Sequence, residues 1–194
     1  MAVKLIASDL DGTLLTNKKE LSPRTREALD LAAAQGIYLV PATGRSFESV
    51  PEMIREYPGV EYLITANGGA VYSVSEKKRI YQCLMTPESV EAAIAVRKRE
   101  KMVMEVVIDG VPYAEEDYVR DPLSYLATEY GARYIKATRT PVKDIIEFAT
   151  QHAKELDSIS FVCSHEDRNR LYASLEDEIP DIYVTSSVSN LLEM

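Results

Sequence analysis

The chain has 194 residues, of which 46% are hydrophobic and 27% charged, the balance of a globular protein with a sizeable core. Its formal net charge is −9 and its Lys and Arg residues are not clustered, which argues against nucleic acid as the main partner. No apolar run is long enough for a membrane span, and neither a signal peptide nor a disulfide framework is indicated, so a cytoplasmic protein without a membrane partner is expected.

The first part of the chain alternates short apolar runs with helical patterns. Strands are predicted over residues 3–8, 37–41 and 62–65, and helices are predicted after Ser22-Pro23 and over residues 46–57. This alternation indicates a parallel sheet with right-handed crossovers. In such sheets chemistry lies beyond the carboxyl ends of the strands, so the polar loops that follow the three strands are expected to meet at one edge.

Beyond Gly69 the pattern changes to an α+β module with hairpins. Asp109-Gly110 is a strong hairpin-turn signal between two apolar runs. The remaining predicted elements are hairpins over residues 70–83 and 103–114, helices over 87–101, 123–130, 142–155 and 165–178, and strands over 158–162, 182–185 and 190–194. The module begins near Cys83 and follows the third strand of the parallel core.

The sharpest chemical signal is the sequence Asp9-Leu10-Asp11-Gly12-Thr13, which directly follows the first predicted strand. Two carboxylates at a strand end suit a hard cation such as Mg²⁺, which would offset their repulsion of an incoming phosphate. Gly12 permits a tight turn, and exposed backbone N–H groups can bind phosphate oxygens. The alternative is a solvated acidic turn; an EF-hand calcium loop is not matched, because glycine follows the second Asp directly.

With its preceding strand, this sequence resembles the first motif, DxDGT, of the haloacid dehalogenase (HAD) superfamily. The resemblance implies that Asp9 is a nucleophile that forms an aspartyl-phosphate, and that Asp11 is the general acid and then the general base. It also implies that Asp9 and Asp11 hold Mg²⁺, the latter through its backbone carbonyl. Leu10, Gly12 and Thr13 are then expected to contribute to phosphate binding.

Two further loops carry weaker resemblances. Thr43-Gly44-Arg45 is similar to the second HAD motif, in which the Thr43 hydroxyl and the Gly44 N–H would bind the transferring phosphoryl group. The alternative is a cap and loop that lead into the next helix, and Arg45 either contacts substrate or forms an ion pair at the helix start. Asn67-Gly68 and the glycine after it resemble the NGA loop of the Cof-like branch, which either contacts substrate or serves as the hairpin turn.

The resemblance covers the whole chain in order and is strongest to the Cof-like branch with a C2B cap. It implies an α/β fold with an incomplete HAD-type, Rossmann-like core over residues 1–83, a cap over 84–188, and the start of the return to the core over 189–194. The family's third and fourth motifs, a Lys and an acidic pair often written GDxxND, do not occur in the sequence. We therefore expect a chain truncated at its C-terminal end, with impaired catalysis and with self-association through an exposed edge of the first strand.

The function implied by the resemblance is Mg²⁺-dependent hydrolysis of a small phosphomonoester of the sugar phosphate, phosphoglycolate or nucleotide type. Two alternatives stay open. One is a non-catalytic binding or regulatory remnant of a phosphatase, which the absence of the last two motifs favours. The other is a phosphomutase. The substrate cannot be identified from the sequence, because in this family the cap selects it.

Overall fold

The computed structural model describes residues 3–194, which fall into two units that divide between Cys83 and Leu84. Met1 and Ala2, which the expected core range of 1–83 includes, lie outside the described residues. The strands are β1 (Leu5–Ser8), β2 (Tyr38–Pro41), β3 (Tyr62–Thr65), β4 (Ala70–Ser73), β5 (Lys78–Gln82), β6 (Val103–Ile108), β7 (Val111–Glu115), β8 (Thr140–Val142), β9 (Leu156–Val162) and β10 (Leu191–Glu193). The helices are α1 (Pro23–Ala34), α2 (Glu52–Arg55), α3 (Pro87–Glu100), α4 (Glu116–Arg120), α5 (Glu129–Thr138), α6 (Ile145–Gln151), α7 (His165–Tyr172) and α8 (Leu175–Glu178).

The first unit is built on parallel strands. β1 and β2 form a parallel ladder, with α1 as the connection between them. β3 lies beside β2 through two isolated parallel bridges, Leu39 to Val60 and Ala42 to Ile64. The α/β class and the order strand, helix, strand predicted from the sequence are confirmed.

An antiparallel hairpin of β4 and β5 continues from β3 in the first unit. It matches the hairpin that the sequence predicts over residues 70–83. Beneath the strands lies one cluster of buried apolar side chains, which is formed by Leu10, Leu15, Leu21, Ala32, Leu39, Val50, Ile54, Tyr57, Val60 and Leu63. Because this cluster takes residues from the loop after β1 as well as from α1 and β3, that loop is anchored to the core.

Helix α1 begins where its sequence predicts. The Ser22 side chain accepts a hydrogen bond from the backbone N–H of Thr25 at 3.1 Å, and Pro23 occupies the first helical position, where no N–H partner is needed. The buried ring of Tyr57 packs at the helix, and its hydroxyl donates to Asp30 at 2.6 Å. Gly59 approaches α1 so closely that a Cβ atom there would lie 2.8 Å from the Cβ of Ala33, so only glycine fits.

The continuous helix predicted over residues 46–57 is wrong. The structure has a 3₁₀ turn at Phe47–Ser49 and then the short helix α2, with Pro51 between them. Proline lacks an N–H donor and pushes the residue before it out of the helical region. Val50 accordingly adopts an extended conformation (φ −72°, ψ 129°), which ends the first turn.

The second unit contains a five-stranded sheet in the order β10-β9-β6-β7-β8. All neighbours are antiparallel except β7 and β8. The predicted turn between β6 and β7 is confirmed: Asp109 and Gly110 both have positive φ, and the Gly110 N–H donates to the buried carboxylate of Asp157 at 2.8 Å. The segment predicted as the start of the return to the core, residues 189–194, supplies β10, which pairs with β9 at the edge of this sheet.

Alternate residues of β6 face opposite sides of this sheet, and each side has its own helices. Met104 and Val106 belong to the larger buried cluster, which also contains Val90 of α3 and Ile145 of α6. Val103 belongs to a second cluster with residues of α4 and α5. The sheet is therefore covered on both faces.

Several predicted helices of the second unit are shorter or broken. The helix predicted over residues 123–130 is wrong, because Leu126 has a left-handed conformation (φ 70°) and ends the 3₁₀ turn Pro122–Tyr125. The helix predicted over 142–155 is reduced to α6, since residues 140–142 form β8 and Asp144 caps the helix. The helix predicted over 165–178 is divided into α7 and α8, and residues 182–185 contribute an isolated bridge rather than a strand.

Within residues 3–194, none of the helices has the length and apolar composition that a crossing of the bilayer needs.

Candidate active site

Asp9 lies immediately after β1, and its side chain is exposed to solvent. Its carboxylate oxygen Oδ2 accepts a hydrogen bond from the Thr13 hydroxyl at 3.0 Å. Its backbone carbonyl accepts from the N–H of Leu14 at 3.2 Å. The loop therefore closes back on the strand end and leaves the carboxylate at the surface.

The rest of this loop is held by Leu10, whose side chain is fully buried in the core of the first unit. The Leu10 carbonyl accepts from the N–H of Leu15 at 2.8 Å, and Gly12 turns the chain with φ +89°. Since a left-handed conformation is unfavourable for other residues, glycine is needed at this turn. Because the Leu10 side chain is buried, Leu10 can contact phosphate only through its backbone.

The end of β2 lies beside the end of β1. The N–H of Ala42 donates to the carbonyl of Ser8 at 2.9 Å, and the N–H of Thr43 donates to the carbonyl of Ile64 on β3 at 3.0 Å. The Thr43 side chain is buried, and its hydroxyl oxygen accepts from the N–H of Arg45 at 3.2 Å. The first two predicted loops therefore adjoin, as the parallel arrangement requires.

The third predicted loop packs directly on the second. The N–H of Ala66 donates to the Arg45 carbonyl at 3.0 Å, and the N–H of Asn67 donates to the Thr43 carbonyl at 3.3 Å. A Cβ atom at Gly44 would lie 2.6 Å from the Asn67 side-chain oxygen, so a larger residue there would displace the Asn67 side chain. The sequence left substrate contact and hairpin turn open for this loop, and the structure gives Asn67 the neighbours of a structural turn.

Gly68 completes this turn with φ +100°, next to Asn67 at φ +53°. The chain then enters β4, so Gly68 supplies the reversal between β3 and the hairpin.

Asp11 is engaged by two cationic side chains. Arg45 forms a bidentate pair, in which Nε donates to Oδ2 at 2.7 Å and Nη2 donates to Oδ1 at 2.9 Å. The Lys19 ammonium donates to Oδ1 at 2.6 Å. Both oxygens of this carboxylate therefore accept charge-assisted hydrogen bonds, which are stronger than those between neutral groups.

These cations set the protonation state of Asp11. The hydrogen bonds from Arg45 have the largest effect and lower the pKa of Asp11 from 3.8 to about 2; partial burial opposes the change, and Lys19 adds to it. A group that favours the charged form of a carboxyl lowers its pKa in this way. Asp11 is thus a carboxylate at neutral pH in the arrangement described.

The donor chemistry of this loop fits Mg²⁺ bound with substrate. Mg²⁺ prefers oxygen ligands and is usually held by one or two carboxylates together with substrate phosphates and water. The exposed carboxylate of Asp9 meets this need, whereas the carboxylate of Asp11 is occupied by its cationic partners. Across the part of the chain that the structure describes, no group of three or more His, Cys, Asp or Glu side chains is suitably placed for a metal ion.

Two partners of the site were not identified from the sequence. Lys19 lies eight residues after Asp11, and its contact depends on a turn that the sequence does not specify. The Ser49 carbonyl accepts from Arg45 Nη1 at 2.9 Å. The adjacent lysines at 18 and 19 were a visible signal, but the sequence does not say which of them faces the loop.

The sequence profile of the haloacid dehalogenase-like hydrolases matches residues 6–194, so the chain belongs to this family. The resemblance inferred from the loop after β1 is confirmed. The family is a class of hydrolases, and the curated relatives of this chain carry phosphatase names, in agreement with the Cof-like branch.

Among curated proteins, the chain is 39% identical over 70 residues to the 5-amino-6-(5-phospho-D-ribitylamino)uracil phosphatase of Bacillus subtilis. This match covers 36% of this chain and 28% of the relative. Over 192 residues the chain is 27% identical to the HMP-PP phosphatase of Klebsiella pneumoniae, with 98% of this chain and 66% of the relative covered. The chain therefore spans less than two thirds of either curated relative.

Among solved structures, a haloacid dehalogenase-like hydrolase from Bacteroides thetaiotaomicron superimposes with a TM-score of 0.75 at 25% sequence identity. The match covers 99% of this chain and 70% of that protein. The fold of the described residues is thus that of the family.

Proposed function

We propose that this chain carries the phosphoryl-transfer site of a Mg²⁺-dependent phosphatase that acts on small phosphomonoesters. The observation that carries the proposal is the exposed Asp9 carboxylate at the end of β1, beside a second aspartate from the same loop and adjoining the loop after β2. A carboxylate at such a position can act as a nucleophile toward phosphorus. The phosphatase names of the curated relatives agree with this chemistry.

In the first step, an Asp9 carboxylate oxygen forms a bond to phosphorus, and the bond between phosphorus and the ester oxygen breaks. The leaving oxygen takes a proton from Asp11. In the second step water attacks the aspartyl-phosphate while Asp11 takes its proton, which releases phosphate and restores the Asp9 carboxylate. When bound, Mg²⁺ supplies positive charge that offsets the repulsion between the carboxylates and the phosphate.

The remaining site residues are proposed to bind the phosphoryl group. Thr43 and the N–H of Gly44 lie in the loop that adjoins the Asp9 strand end, where fixed donors can stabilise charge that develops in the transition state. The backbone N–H groups of Gly12 and Thr13 are the corresponding donors from the first loop. We propose that Asn67 positions Gly44 and does not itself contact substrate, because its side chain packs against that glycine.

The acid step places a condition on Asp11. A proton donor must carry a proton, but Arg45 and Lys19 stabilise its carboxylate form. Proton donation therefore requires that Arg45, whose hydrogen bonds have the largest effect, releases at least one Asp11 oxygen after substrate has bound. The second unit, Leu84–Met194, is proposed to be the C2B-type cap that selects the substrate among sugar phosphates, phosphoglycolate and nucleotides.

A second candidate, a non-catalytic phosphate-binding protein, is favoured by one observation. Both oxygens of Asp11 are occupied by cations, so the described arrangement has no free acid or base in this loop apart from Asp9. Such a site could bind phosphate without transferring it. We also propose that the protein is cytoplasmic, in keeping with the unpaired thiols of Cys83 and Cys163.

Turnover of 4-nitrophenyl phosphate and of a panel of sugar phosphates, phosphoglycolate and nucleoside monophosphates tests the proposal. We expect weak hydrolysis that requires Mg²⁺ and is lost in Asp9→Asn, because the amide cannot attack phosphorus. Asp181→Asn, an exposed aspartate of the second unit, is the matched control and is expected to keep the activity. Release of phosphate that is equal in Asp9→Asn and in the unaltered protein would contradict a catalytic role for Asp9, and the absence of Mg²⁺-dependent release from the unaltered protein would leave the binding function.

A further inference from the structure

We propose that Lys19 is a ligand for the substrate phosphate: its ammonium leaves Asp11 for a phosphate oxygen when substrate enters, while Arg45 stays on Asp11 and fixes the orientation of that carboxylate. The inference rests on the proposed function, because it needs phosphate to bind at the loop after β1. Its test is a binding measurement, so it can fail or succeed separately from catalysis.

The first support is that Lys19 is redundant as a partner of Asp11. Arg45 alone supplies a hydrogen bond to each carboxylate oxygen, at 2.7 and 2.9 Å. The Lys19 ammonium adds a third hydrogen bond, to the same Oδ1 that already accepts from Arg45. If Lys19 left, the bidentate pair would still satisfy both oxygens of Asp11.

The second support is that the two cations are anchored unequally. The Arg45 side chain is only 13% exposed, and its Nη1 also donates to the Ser49 carbonyl at 2.9 Å. Two hydrogen bonds fix the Arg45 backbone. Its N–H donates to the Thr43 hydroxyl oxygen, and its carbonyl accepts from the N–H of Ala66. Moving this guanidinium would break contacts in two loops.

Lys19, in contrast, has a fixed backbone and a more accessible side chain. Its N–H donates to the Thr16 carbonyl at 2.8 Å, and the turn is tied down by the bridge between Leu15 and Leu21, both of which are buried. The side chain is 31% exposed, and its four-carbon stem lets the ammonium swing without movement of the turn. Lys19 is therefore the cation that can leave Asp11 at the lower cost.

The third support is electrostatic. Asp9 and Asp11 contribute two negative charges to this loop, and Lys19 and Arg45 contribute two positive ones. A phosphate that enters beside these carboxylates needs a cation that faces it, and a compact ammonium binds phosphate well as a point charge. Lys19 already lies within hydrogen-bonding distance of the aspartate loop, so a small side-chain movement brings it to the phosphate.

Titration of inorganic phosphate into the isotope-labelled chain in the presence of MgCl₂, followed by NMR, tests the proposal. Lys19→Met removes the ammonium and keeps the apolar stem, and Lys18→Met is the matched control from the same turn. We expect the Kd for phosphate to rise about tenfold in Lys19→Met, the size expected for loss of one charge-assisted hydrogen bond. Lys18→Met is expected to bind phosphate as the unaltered chain does, and the Asp11 carboxyl resonance is expected to shift less in Lys19→Met than in Arg45→Met.

An unchanged Kd in Lys19→Met, or an unaltered chain that binds no phosphate, would overturn the proposal. So would an Asp11 carboxyl resonance that shifts in Lys19→Met as far as it does in Arg45→Met, because Lys19 would then be needed to position Asp11. Phosphate binding that depends on Lys19 without any turnover supports this inference and contradicts catalysis. Turnover with an unchanged Kd in Lys19→Met contradicts this inference alone.

Discussion

At the scale of single residues, the Asp11 carboxylate accepts hydrogen bonds from two cations that reach it from different turns. Arg45 comes from the loop after β2, and Lys19 comes from the turn that follows the aspartate loop itself. Ion pairs on a protein surface usually stabilise little, but a bidentate arginine pair with an additional lysine is the kind of network that does contribute. Asp11 therefore joins three segments of the first unit as well as serving the proposed chemistry.

This network predicts a dependence of stability on pH. Because the pKa of Asp11 is lowered to about 2, the pairing stabilises the folded state fully above the pKa of an unfolded aspartate, about 3.9, and is lost as the pH falls through about 2. Asp11→Asn lacks this contribution at every pH. The difference in unfolding free energy between the two proteins, measured by urea denaturation, is expected to shrink between pH 4 and pH 2. A difference in unfolding free energy that stays constant across that range would contradict the pairing of Asp11 with Arg45 and Lys19. The magnitude is expected to be small, since the Asp11 side chain is 34% exposed.

At the scale of elements, the second unit contains an ion pair buried between its sheet and the helices of one face. Arg139, just after α5, donates to one oxygen of Glu105 on β6 through Nε at 3.0 Å and through Nη2 at 2.6 Å. Both side chains are largely buried, at 12% and 6% exposed. Tyr118 of α4 lies against Glu105. Burial raises the pKa of the Tyr118 hydroxyl most, and the negative charge of Glu105 raises it further. The pair thus links β6, α4 and α5.

Removal of one partner of this pair is expected to destabilise the protein strongly. Arg139→Met leaves the Glu105 carboxylate buried without its cation, which we expect to cost about 3–5 kcal/mol of unfolding free energy. The triple variant Glu105→Leu, Tyr118→Phe, Arg139→Met removes both charges of the pair and the Tyr118 hydroxyl beside them, and it is expected to recover most of this loss. Thermal and urea denaturation measure the unfolding free energy of the single and the triple variant. A single variant as stable as the unaltered protein would show that the pair is not formed.

The elements also show what the sequence could and could not predict. Ser22-Pro23 and Asp109-Gly110 are local signals whose physical effect does not depend on distant contacts, and the helix start and the hairpin turn were placed correctly. The breaks at Pro51 and Leu126 were missed for different reasons. Pro51 was visible in the sequence, but the helix over residues 46–57 was predicted straight across it. Leu126 has a left-handed conformation that nothing in its side chain favours.

The same distinction holds at the candidate site. The loops after β1, β2 and β3 were predicted to meet because parallel strands place their carboxyl ends together, and the hydrogen bonds between them confirm this. Lys19 was missed because its contact with Asp11 depends on the fold of a turn with few sequence signals. The bidentate pair of Arg45 was foreseen only as a choice between ion pair and substrate contact.

At the scale of the whole molecule, the first strand of the described chain is exposed along much of its length. β1 pairs with β2 on one side, and Leu5 and Ile6 are 51% and 39% exposed. A row of unpaired backbone groups beside apolar side chains readily pairs with another chain. We propose that a second copy of this chain covers the edge.

This proposal predicts concentration-dependent self-association. Sedimentation equilibrium is expected to show dimers or larger species, and Leu5→Lys is expected to shift the protein toward the monomer by placing charge on the edge. Tyr183→Lys is the matched control, because Tyr183 is 76% exposed in the second unit. A monomer at all concentrations, or equal association of both variants, would contradict the role of β1.

The central claim is that Asp9 becomes bonded to phosphorus, and its most direct test is the capture of that bond. The protein is incubated with Mg²⁺ and a reactive phosphate ester, quenched in acid, digested and analysed by mass spectrometry. We predict one added phosphoryl group on the peptide that contains Asp9, absent in Asp9→Asn and absent without Mg²⁺. A phosphoryl group on another residue, or none on Asp9 while the ester is hydrolysed, would contradict the account.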